Sequence, residues 1–216
     1  MQDFTVVTGM IIKAVPIGEY DRRLVLLTKE RGKITAFVRG ARKPNSRFVA
    51  ATNLFCFGTF RLYAGKEAYT LAEAEISNYF EELRMDFEGA YYGMYFLEIA
   101  DYYTRENNDE RQMLKLLYQS MKAISAPSLP NQLVRAVFEI KAVVVNGEFP
   151  GIPAGRTYLP STEYAVEYIT ASTIEKLYTF NVVDEVLWEL KQIAGKTCKM
   201  CLNTKFKSLE ILDTLD

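Results

Sequence analysis

In the stretch RLVLLTKERGKITAFV, residues 23–38, two apolar runs flank the short connection Lys29-Glu30-Arg31-Gly32. Glycine adopts the backbone angles that tight connections need, so this arrangement is typical of a β-hairpin. The second run, residues 33–38, is rich in β-branched and aromatic side chains, which favour strands. The stretch therefore predicts two antiparallel strands joined by a tight turn.

Three further segments have strand character, and they bring the number of predicted strands to five. They are FTVVTGMIIKAV (residues 4–15), LFCFGTFRLYAG (54–65) and EAYTLAEAEI (67–76). Gly9 and Gly58 interrupt the first two, and a glycine inside a strand often marks a bulge or a bend. Five short, bent strands favour a small closed barrel of OB-fold size, because closure leaves no exposed strand edge.

From about residue 79, apolar residues recur every three or four positions, which predicts helices. The proline- and glycine-rich residues 149–162 predict a loop, and residues 163–170 predict a short strand. We therefore expect an α+β chain, with an OB-fold barrel at 1–78 and a helical domain at 79–216 that contains an insertion at about 147–170. The predicted helical stripes are Leu83, Phe87, Ala90, Met94 and Leu97; Met113, Leu117, Met121 and Ile124; and Leu133, Val137, Ile140 and Val144, with further helices at 184–194 and 198–212.

Positive charge is concentrated in the predicted barrel. Residues 1–66 carry twelve Lys and Arg against four Asp and Glu, whereas the remainder carries 14 against 23, so the net charge of −1 hides a basic end. Such asymmetry predicts an anion-binding module joined to an acidic body. No segment has the ~18 apolar residues that a bilayer-spanning helix needs, and the N-terminus does not resemble a secretory signal. We expect a cytoplasmic protein.

The basic side chains of the barrel region cluster between residues 22 and 47, where Glu30 is the only acidic residue. Phe37 and Phe48 lie among them. Neutralising phosphates releases condensed counterions, and aromatic rings beside the cations can stack on unpaired bases, so this pattern indicates nucleic-acid binding. The alternative is a solvated surface without a ligand. The candidate nucleic-acid-binding residues here are Arg22, Arg23, Arg31, Lys33, Arg39, Arg42, Lys43 and Arg47.

Few catalytic or metal-binding arrangements are available to this chain. It contains no histidine, which excludes Ser/His and Cys/His pairs and histidine-ligated metals. Its three cysteines, Cys56, Cys198 and Cys201, form neither a disulfide framework nor a complete zinc site. We therefore predict no catalytic residues, no metal site and no cofactor. The alternatives are a magnesium-dependent nuclease that uses Glu73, Glu75 or Asp101, and a scaffold that binds only proteins.

Several runs of this chain resemble the bacterial DNA repair protein RecO family. The resemblance lies in residues 18–24 (GEYDRRL), 28–37 (TKERGKITAF) and 39–47 (RGARKPNSR). Residues 69–76 (YTLAEAEI) are similar to the fifth strand of the family. The similarity is close over residues 4 to about 100 and looser beyond.

This resemblance implies an OB-fold followed by a helical domain, and a nucleoid-associated recombination mediator that is not an enzyme. It implies binding of single- and double-stranded DNA, annealing of complementary strands, and help in RecA loading together with RecR. The tail of the single-stranded DNA-binding protein is a further implied partner, and neither a membrane nor a small-molecule substrate is expected. Many relatives carry four zinc-binding cysteines in the part that corresponds to residues 149–170. This chain has none there, so we predict a degenerate zinc-binding element held by Phe149, Tyr158 and Tyr164.

Two further groups of cations are candidate sites in the helical part. Lys205 and Lys207 resemble the basic last helix of the family and extend the predicted DNA-binding set. Arg135 and Lys141 lie beside Val137, Phe138 and Val144 on a predicted helix. An acidic tail with an apolar end needs a hydrophobic pocket next to a cation, so Arg135 and Lys141 are the candidate residues for binding the partner tail.

Overall fold

The computed structural model describes residues 4–66 and 68–214, which form two compact units. The first contains the residues up to Glu81 together with Ala100–Leu114, and the second contains Glu82–Ile99 together with the residues from Lys115 onward. The segment 100–114 thus belongs to the barrel unit although it lies within the predicted helical domain. The predicted domain boundary between residues 78 and 79 stays a prediction.

The first unit is built on a closed barrel of five strands. These are β1 (Phe4–Ile17), β2 (Asp21–Thr28), β3 (Gly32–Val38), β4 (Phe57–Ala64) and β5 (Tyr69–Asn78). Their order around the barrel is β1-β2-β3-β5-β4, and all neighbours are antiparallel except β3 and β5. Helices follow the barrel along the chain. The predicted five-stranded OB-fold followed by a helical region is confirmed.

The barrel interior is filled by alternate side chains of every strand. Val7, Leu24, Ile34 and Phe60 are among the fully buried residues of this core. Alternation follows from the pleat, which turns successive side chains to opposite faces. Where two strands approach too closely for any side chain, glycine is required: a Cβ at Gly58 would lie 2.1 Å from the carbonyl oxygen of Glu75.

The predicted hairpin joins β2 to β3, and its turn is fastened to the segment after the first long helix. Gly32 has φ of +63°, and a Cβ there would lie 2.3 Å from the carbonyl oxygen of Arg105. The backbone N–H of Lys33 donates to that oxygen at 3.0 Å, and the N–H of Asn107 donates to the carbonyl of Arg31 at 2.9 Å. These bonds hold residues 105–107 against the hairpin turn.

Eight α-helices and one short 3₁₀ helix, Ile174–Lys176, occur in the described residues. None of these helices combines the length and the apolar character that crossing a bilayer requires. The α-helices are α1 (Phe48–Ala51), α2 (Glu81–Met85), α3 (Phe87–Tyr103), α4 (Arg111–Ile124), α5 (Asn131–Val145), α6 (Pro160–Ala171), α7 (Asp184–Cys201) and α8 (Lys207–Leu212).

The helical stripes were predicted with mixed success. The stripe of α4 is buried as predicted, from Met113 to Ile124. The first stripe is wrong: the predicted single helix is divided into α2 and α3, and Phe87 is 63% exposed. In α3 the buried side chains include Tyr92, Tyr95 and Phe96. This helix is apolar on most sides, so its sequence period did not identify the face that packs most tightly.

Two local predictions in the last third of the chain are also wrong. Residues 163–170 are not a strand but part of α6, which Pro160 starts because its fixed φ suits the first helical turn. Ala165, Val166 and Ile169 form the buried face of that helix. The helix predicted at 198–212 is interrupted, because α7 continues to Cys201 and α8 begins only at Lys207.

A buried carboxylate, Glu189 of α7, fastens the proline- and glycine-rich segment. Its oxygens accept hydrogen bonds from the Arg156 guanidinium (2.9 Å), the backbone N–H of Leu159 (3.0 Å) and the Thr162 hydroxyl (2.6 Å). Arg156 also lies over the Trp188 ring, 4.6 Å from its centroid. Of the three aromatic residues predicted to hold this segment, Tyr158 is buried, Phe149 is half-buried, and Tyr164 is 69% exposed. Tyr164 therefore does not serve this purpose.

We expect Glu189→Gln to destabilise the protein at neutral pH more than at acid pH. Hydrogen bonds from Thr162 and Leu159, with the charge of Arg156, lower the pKa of Glu189 below its ordinary value of 4.5. A lowered carboxyl pKa gives stability that is present above pH 4.5 and is lost as the pH falls through the folded-state value. The difference in melting temperature between wild type and Glu189→Gln should therefore be larger at pH 7 than at pH 3.5.

The control for this experiment is Glu163→Gln, which alters an exposed glutamate of the neighbouring helix α6. It should change the melting temperature little at either pH. An equal effect of Glu189→Gln at both pH values would show that the charge of Glu189 does not fasten the segment.

Candidate nucleic-acid interface

The outer face of β3 carries cations at both ends and an exposed aromatic ring between them. Ile34, Ala36 and Val38 point into the barrel, so Lys33, Thr35 and Phe37 point outward. Phe37 is 41% exposed. Arg31 precedes the strand and Arg39 follows it, and both are exposed. At ~3.3 Å per residue the strand separates these two groups of cations by roughly 20 Å, so they form a track.

The two arginines at the start of β2 have different environments. Arg23 is exposed and lies opposite Phe37 in the strand register, so it belongs to the outer face. Arg22 donates to the carbonyl oxygen (3.0 Å) and hydroxyl (2.7 Å) of Thr52 and to the Asn53 side chain (3.1 Å). Burial, together with the charge of Arg42, lowers the pKa of Arg22. Arg22 fastens the barrel to the chain after α1, and we no longer count it as a DNA ligand.

The connection between β3 and α1, residues 39–47, is the second part of the interface. Arg39, Arg42, Lys43 and Arg47 are all exposed there. The connection is held in place by hydrogen bonds to the start of β2. The N–H of Gly40 donates to the Asp21 carboxylate at 2.7 Å, and the N–H of Arg42 donates to the carbonyl of Tyr20 at 2.8 Å. The cations therefore project from a fixed loop.

Two of these side chains also lie over aromatic rings. The Lys43 ammonium is 5.7 Å from the centroid of Tyr20, and the Arg47 guanidinium is 4.8 Å from that of Phe48. Arg47 in addition donates to the carbonyl oxygen of Ala72 at 2.6 Å. Arg47 thus has a structural role beside any ligand contact, whereas Arg39, Arg42 and Lys43 remain exposed for a ligand.

A cleft on the barrel unit contains two cations that the sequence reasoning missed, Lys13 and Arg105. Arg23 and Lys33 line the same cleft, whose volume is about 410 Å³. Lys13 lies on β1, where simple alternation would turn it inward with Val7 and Ile11; the irregularity of the strand between Ile11 and Lys13 turns it outward instead. No local sequence pattern indicated that Arg105 belongs to this cleft. Arg105 reaches the barrel because hydrogen bonds hold residues 105–107 against the hairpin turn.

The remaining predicted DNA ligands, Lys205 and Lys207, belong to the second compact unit. Both are exposed and flank Phe206, which is buried and packs edge-on against Tyr95 with ring centroids 5.6 Å apart. Burial of Phe206 fixes the chain locally and leaves the two neighbouring ammonium groups in solvent. They form a separate basic group of that unit.

The two cations predicted to bind a partner tail are engaged inside the second unit. Lys141 is 6% exposed, and its ammonium donates to the carbonyl oxygens of Thr170 (2.9 Å) and Ser172 (2.8 Å) at the end of α6. Burial lowers the pKa of Lys141. Arg135 donates to the Glu139 carboxylate at 2.9 Å. Neither cation is presented to a peptide, so we do not retain this pair as a docking site.

Comparison with known proteins matches the whole barrel and part of the helical region to one family. The family model "Recombination protein O N terminal" matches residues 1–80, and "Recombination protein O C terminal" matches residues 84–152. The chain belongs to the RecO family. It is 29% identical to the DNA repair protein RecO of Acetivibrio thermocellus, over 97% of this chain and 96% of the relative. The RecO of Symbiobacterium thermophilum is 36% identical, over 68% of this chain and 58% of the relative.

The RecO-like runs of the sequence occupy defined places on this structure. Residues 18–24 contain the turn into β2 and its first residues, residues 28–37 contain the hairpin turn and most of β3, and residues 39–47 form the basic connection. Three of the four RecO-like runs therefore coincide with the candidate interface, and the fourth, residues 69–76, lies in β5.

The carboxylates considered for a nuclease do not converge in this RecO-family chain. Glu73 pairs with Arg61 at 3.3 Å and lines a cleft on β4 and β5 together with Glu75. Asp101 lines the separate cleft with Lys13 and Lys33. Within residues 4–66 and 68–214, no group of three or more His, Cys, Asp or Glu is placed to hold a metal ion. Residues 149–170 contain no cysteine, so they lack the ligands that a four-cysteine zinc site needs.

Proposed function

We propose that this chain is a recombination mediator that binds single- and double-stranded DNA and anneals complementary strands without being an enzyme. The observation that carries the proposal is the track of exposed cations that runs from Arg31, before β3, to the 39–47 connection after it, with Phe37 exposed on the strand between them. Phosphates interact with such a track regardless of sequence, and an exposed ring can stack on an unpaired base.

The mechanism of annealing is electrostatic. Two DNA strands repel each other through their phosphates, and a surface that neutralises phosphates on both strands lowers the cost of bringing them together. Base pairing then supplies the specificity. Arg39, Arg42 and Lys43 are the residues for which we propose the main phosphate contacts, because they are exposed and project from an ordered loop.

The proposal includes protein partners that membership of the RecO family suggests. We propose that the chain acts with RecR, binds the tail of the single-stranded DNA-binding protein, and helps RecA load where that protein covers the strand. The basic residues of the barrel serve DNA, RecR or both. The tail needs a docking site other than Arg135 and Lys141, since both of these cations have internal partners.

The first test is the salt dependence of binding to a fluorescently labelled single-stranded oligonucleotide, measured by anisotropy. If about six phosphates are neutralised, the logarithm of the affinity should fall with the logarithm of the salt concentration at a slope of about −4 to −5, from ~0.7 per phosphate. A slope close to zero would contradict DNA binding by this track and favour a scaffold that binds only proteins.

Annealing of complementary oligonucleotides separates the mediator from a nuclease. Charge neutralisation needs no divalent metal, so annealing should proceed unchanged with excess EDTA and leave both strands at full length. Strand cleavage that EDTA abolishes would instead support the nuclease with Glu73, Glu75 or Asp101.

A further inference from the structure

The cleft beside β1, β2 and β3 contains more positive charge than its own acidic residues neutralise. Four cations line it against two carboxylates, those of Asp101 and Glu106, and Val25, Thr35, Ala68 and Tyr69 complete the lining. Every lining residue belongs to the barrel unit. The four cations are Lys13, Arg23, Lys33 and Arg105.

Asp101 holds the central position among these cations. The Lys13 ammonium lies 2.7 Å from one oxygen of its carboxylate, and the Lys33 ammonium lies 3.0 Å from the other. The Lys33 ammonium also donates to the backbone carbonyl of Asp101 at 2.6 Å. Two ammonium groups therefore converge on one internal anion.

The other two cations of the cleft have no carboxylate partner among the described ion pairs. Arg105 donates to the carbonyl oxygens of Tyr102 (2.7 Å) and Thr104 (2.8 Å), which holds its guanidinium near the end of α3. Arg23 is exposed on the outer face opposite Phe37. Their charges stay available to an anion that enters the cleft.

The Lys13–Asp101 ion pair is accessible to such an anion, whereas the Lys33 side chain is only 22% exposed and is reached less readily. The side chain of Lys13 is 47% exposed and that of Asp101 is 25% exposed. Ion pairs that solvent reaches contribute little net free energy, so an entering anion exchanges one weak pairing for another. A phosphate group offers more acceptor oxygens than a carboxylate. A phosphate in the cleft would also interact with Arg23 and Arg105, which the Asp101 carboxylate does not pair with.

We propose that this cleft binds a phosphate group of a nucleic acid, and that Asp101 is an internal anion that competes with it for Lys13 and Lys33. This inference rests on the proposed DNA binding and adds two ligands, Lys13 and Arg105, and one antagonist residue. Asp101 limits the affinity of the cleft, which favours release of the strand after pairing.

The test measures oligonucleotide affinity by anisotropy for Asp101→Asn and for Asp109→Asn. Both substitutions remove one negative charge from the barrel unit, but Asp109 does not line the cleft. Asp109 is 69% exposed and pairs with Arg111. We expect Asp101→Asn to bind the oligonucleotide about three- to tenfold more tightly, as removal of one nearby like charge predicts. Asp109→Asn should change the affinity less than about twofold, because screened, exposed charges interact weakly.

The double variant Asp101→Asn/Lys13→Ala should lose most of the affinity gained by Asp101→Asn, because Lys13 is the ligand that the removal of Asp101 frees for the phosphate. Equal gains for Asp101→Asn and Asp109→Asn would reduce the effect to net charge and overturn the proposal. An unchanged or lower affinity of Asp101→Asn would overturn it as well. If Asp101→Asn does not fold, the single variants Lys13→Ala and Arg105→Ala of the wild type provide the test. Each should weaken oligonucleotide binding. An unchanged affinity in either variant would overturn the proposal.

Free phosphate is the other source of the same chemistry. Inorganic phosphate should raise the melting temperatures of the wild type and of Lys13→Ala by the same amount, since phosphate stabilises folded proteins by exclusion from their surfaces without binding a site. A larger rise for the wild type, with no change of oligonucleotide affinity in Asp101→Asn, would assign the cleft to free phosphate and overturn the nucleic-acid assignment. DNA binding by wild type, and its salt slope, are measured separately, so failure here is distinguishable from failure of the proposed function.

Discussion

Simultaneous replacement of Arg39, Arg42 and Lys43 by alanine should weaken binding of single-stranded DNA by a factor on the order of 10 to 100 at low salt. The three side chains are exposed, and the loop that carries them is held by backbone contacts to Asp21 and Tyr20 that the substitutions leave in place. Loss of three phosphate contacts should also reduce the magnitude of the salt slope by about 2, from ~0.7 per phosphate. Anisotropy titrations over a series of salt concentrations measure both quantities.

A matched control variant replaces three lysines of the second unit, Lys115, Lys122 and Lys176, by alanine. It removes the same amount of positive charge from exposed positions of that unit. Its affinity and salt slope should stay close to those of the wild type. Equal losses in the two variants would mean that net charge, and not the 39–47 connection, determines DNA binding. Circular dichroism establishes that both variants are folded before they are compared.

Replacement of Arg135 by methionine should lower the free energy of unfolding by about 3–5 kcal/mol, the cost of leaving a buried charge without its partner. Glu139 is 3% exposed and accepts hydrogen bonds from Arg135 at 2.9 Å and from the Tyr95 hydroxyl at 2.7 Å. Burial by itself would lower the pKa of Arg135, but the charge of Glu139 outweighs it and raises the pKa. Urea denaturation of wild type and variant measures the difference.

The double variant Arg135→Met/Glu139→Gln is the control for this experiment. It removes the buried negative charge and keeps an acceptor for the Tyr95 hydroxyl, so it should be more stable than Arg135→Met alone. A double variant as unstable as the single one would show that lost packing, not the unpaired carboxylate, causes the effect. A stable Arg135→Met would contradict the internal role of Arg135 and return it to the candidates for peptide binding.

The strands and their outward cations were predictable because the relevant pattern is local. Alternation of apolar and polar residues along β3 places Lys33 and Phe37 outside the barrel once Ile34 and Ala36 are buried. The glycine of the hairpin turn was likewise predicted from its neighbours in the chain. In α6 the local reading failed, because strand character at 163–170 competed with a helix start at Pro160 that burial of one face made favourable.

The roles of individual cations were not predictable, because each depends on a partner far along the chain. Arg22 and Arg23 are adjacent in the sequence, yet only Arg22 reaches Thr52 and is partly buried. Lys141 lies beside an apolar stripe in the sequence, which suggested that it could bind a peptide. In the structure its ammonium donates to carbonyl oxygens at the end of α6.

The sequence alone determined that this chain begins with a closed β-barrel and carries its excess of positive charge there, since alternation and charge clustering are properties of neighbouring residues. Only the tertiary structure decided which of those charges stay exposed and which have internal partners. Lys13 and Lys33 lie 88 and 68 residues from Asp101 in the chain, and barrel closure brings all three together. The partners of a charged side chain set its availability, and folding, not proximity in sequence, selects those partners.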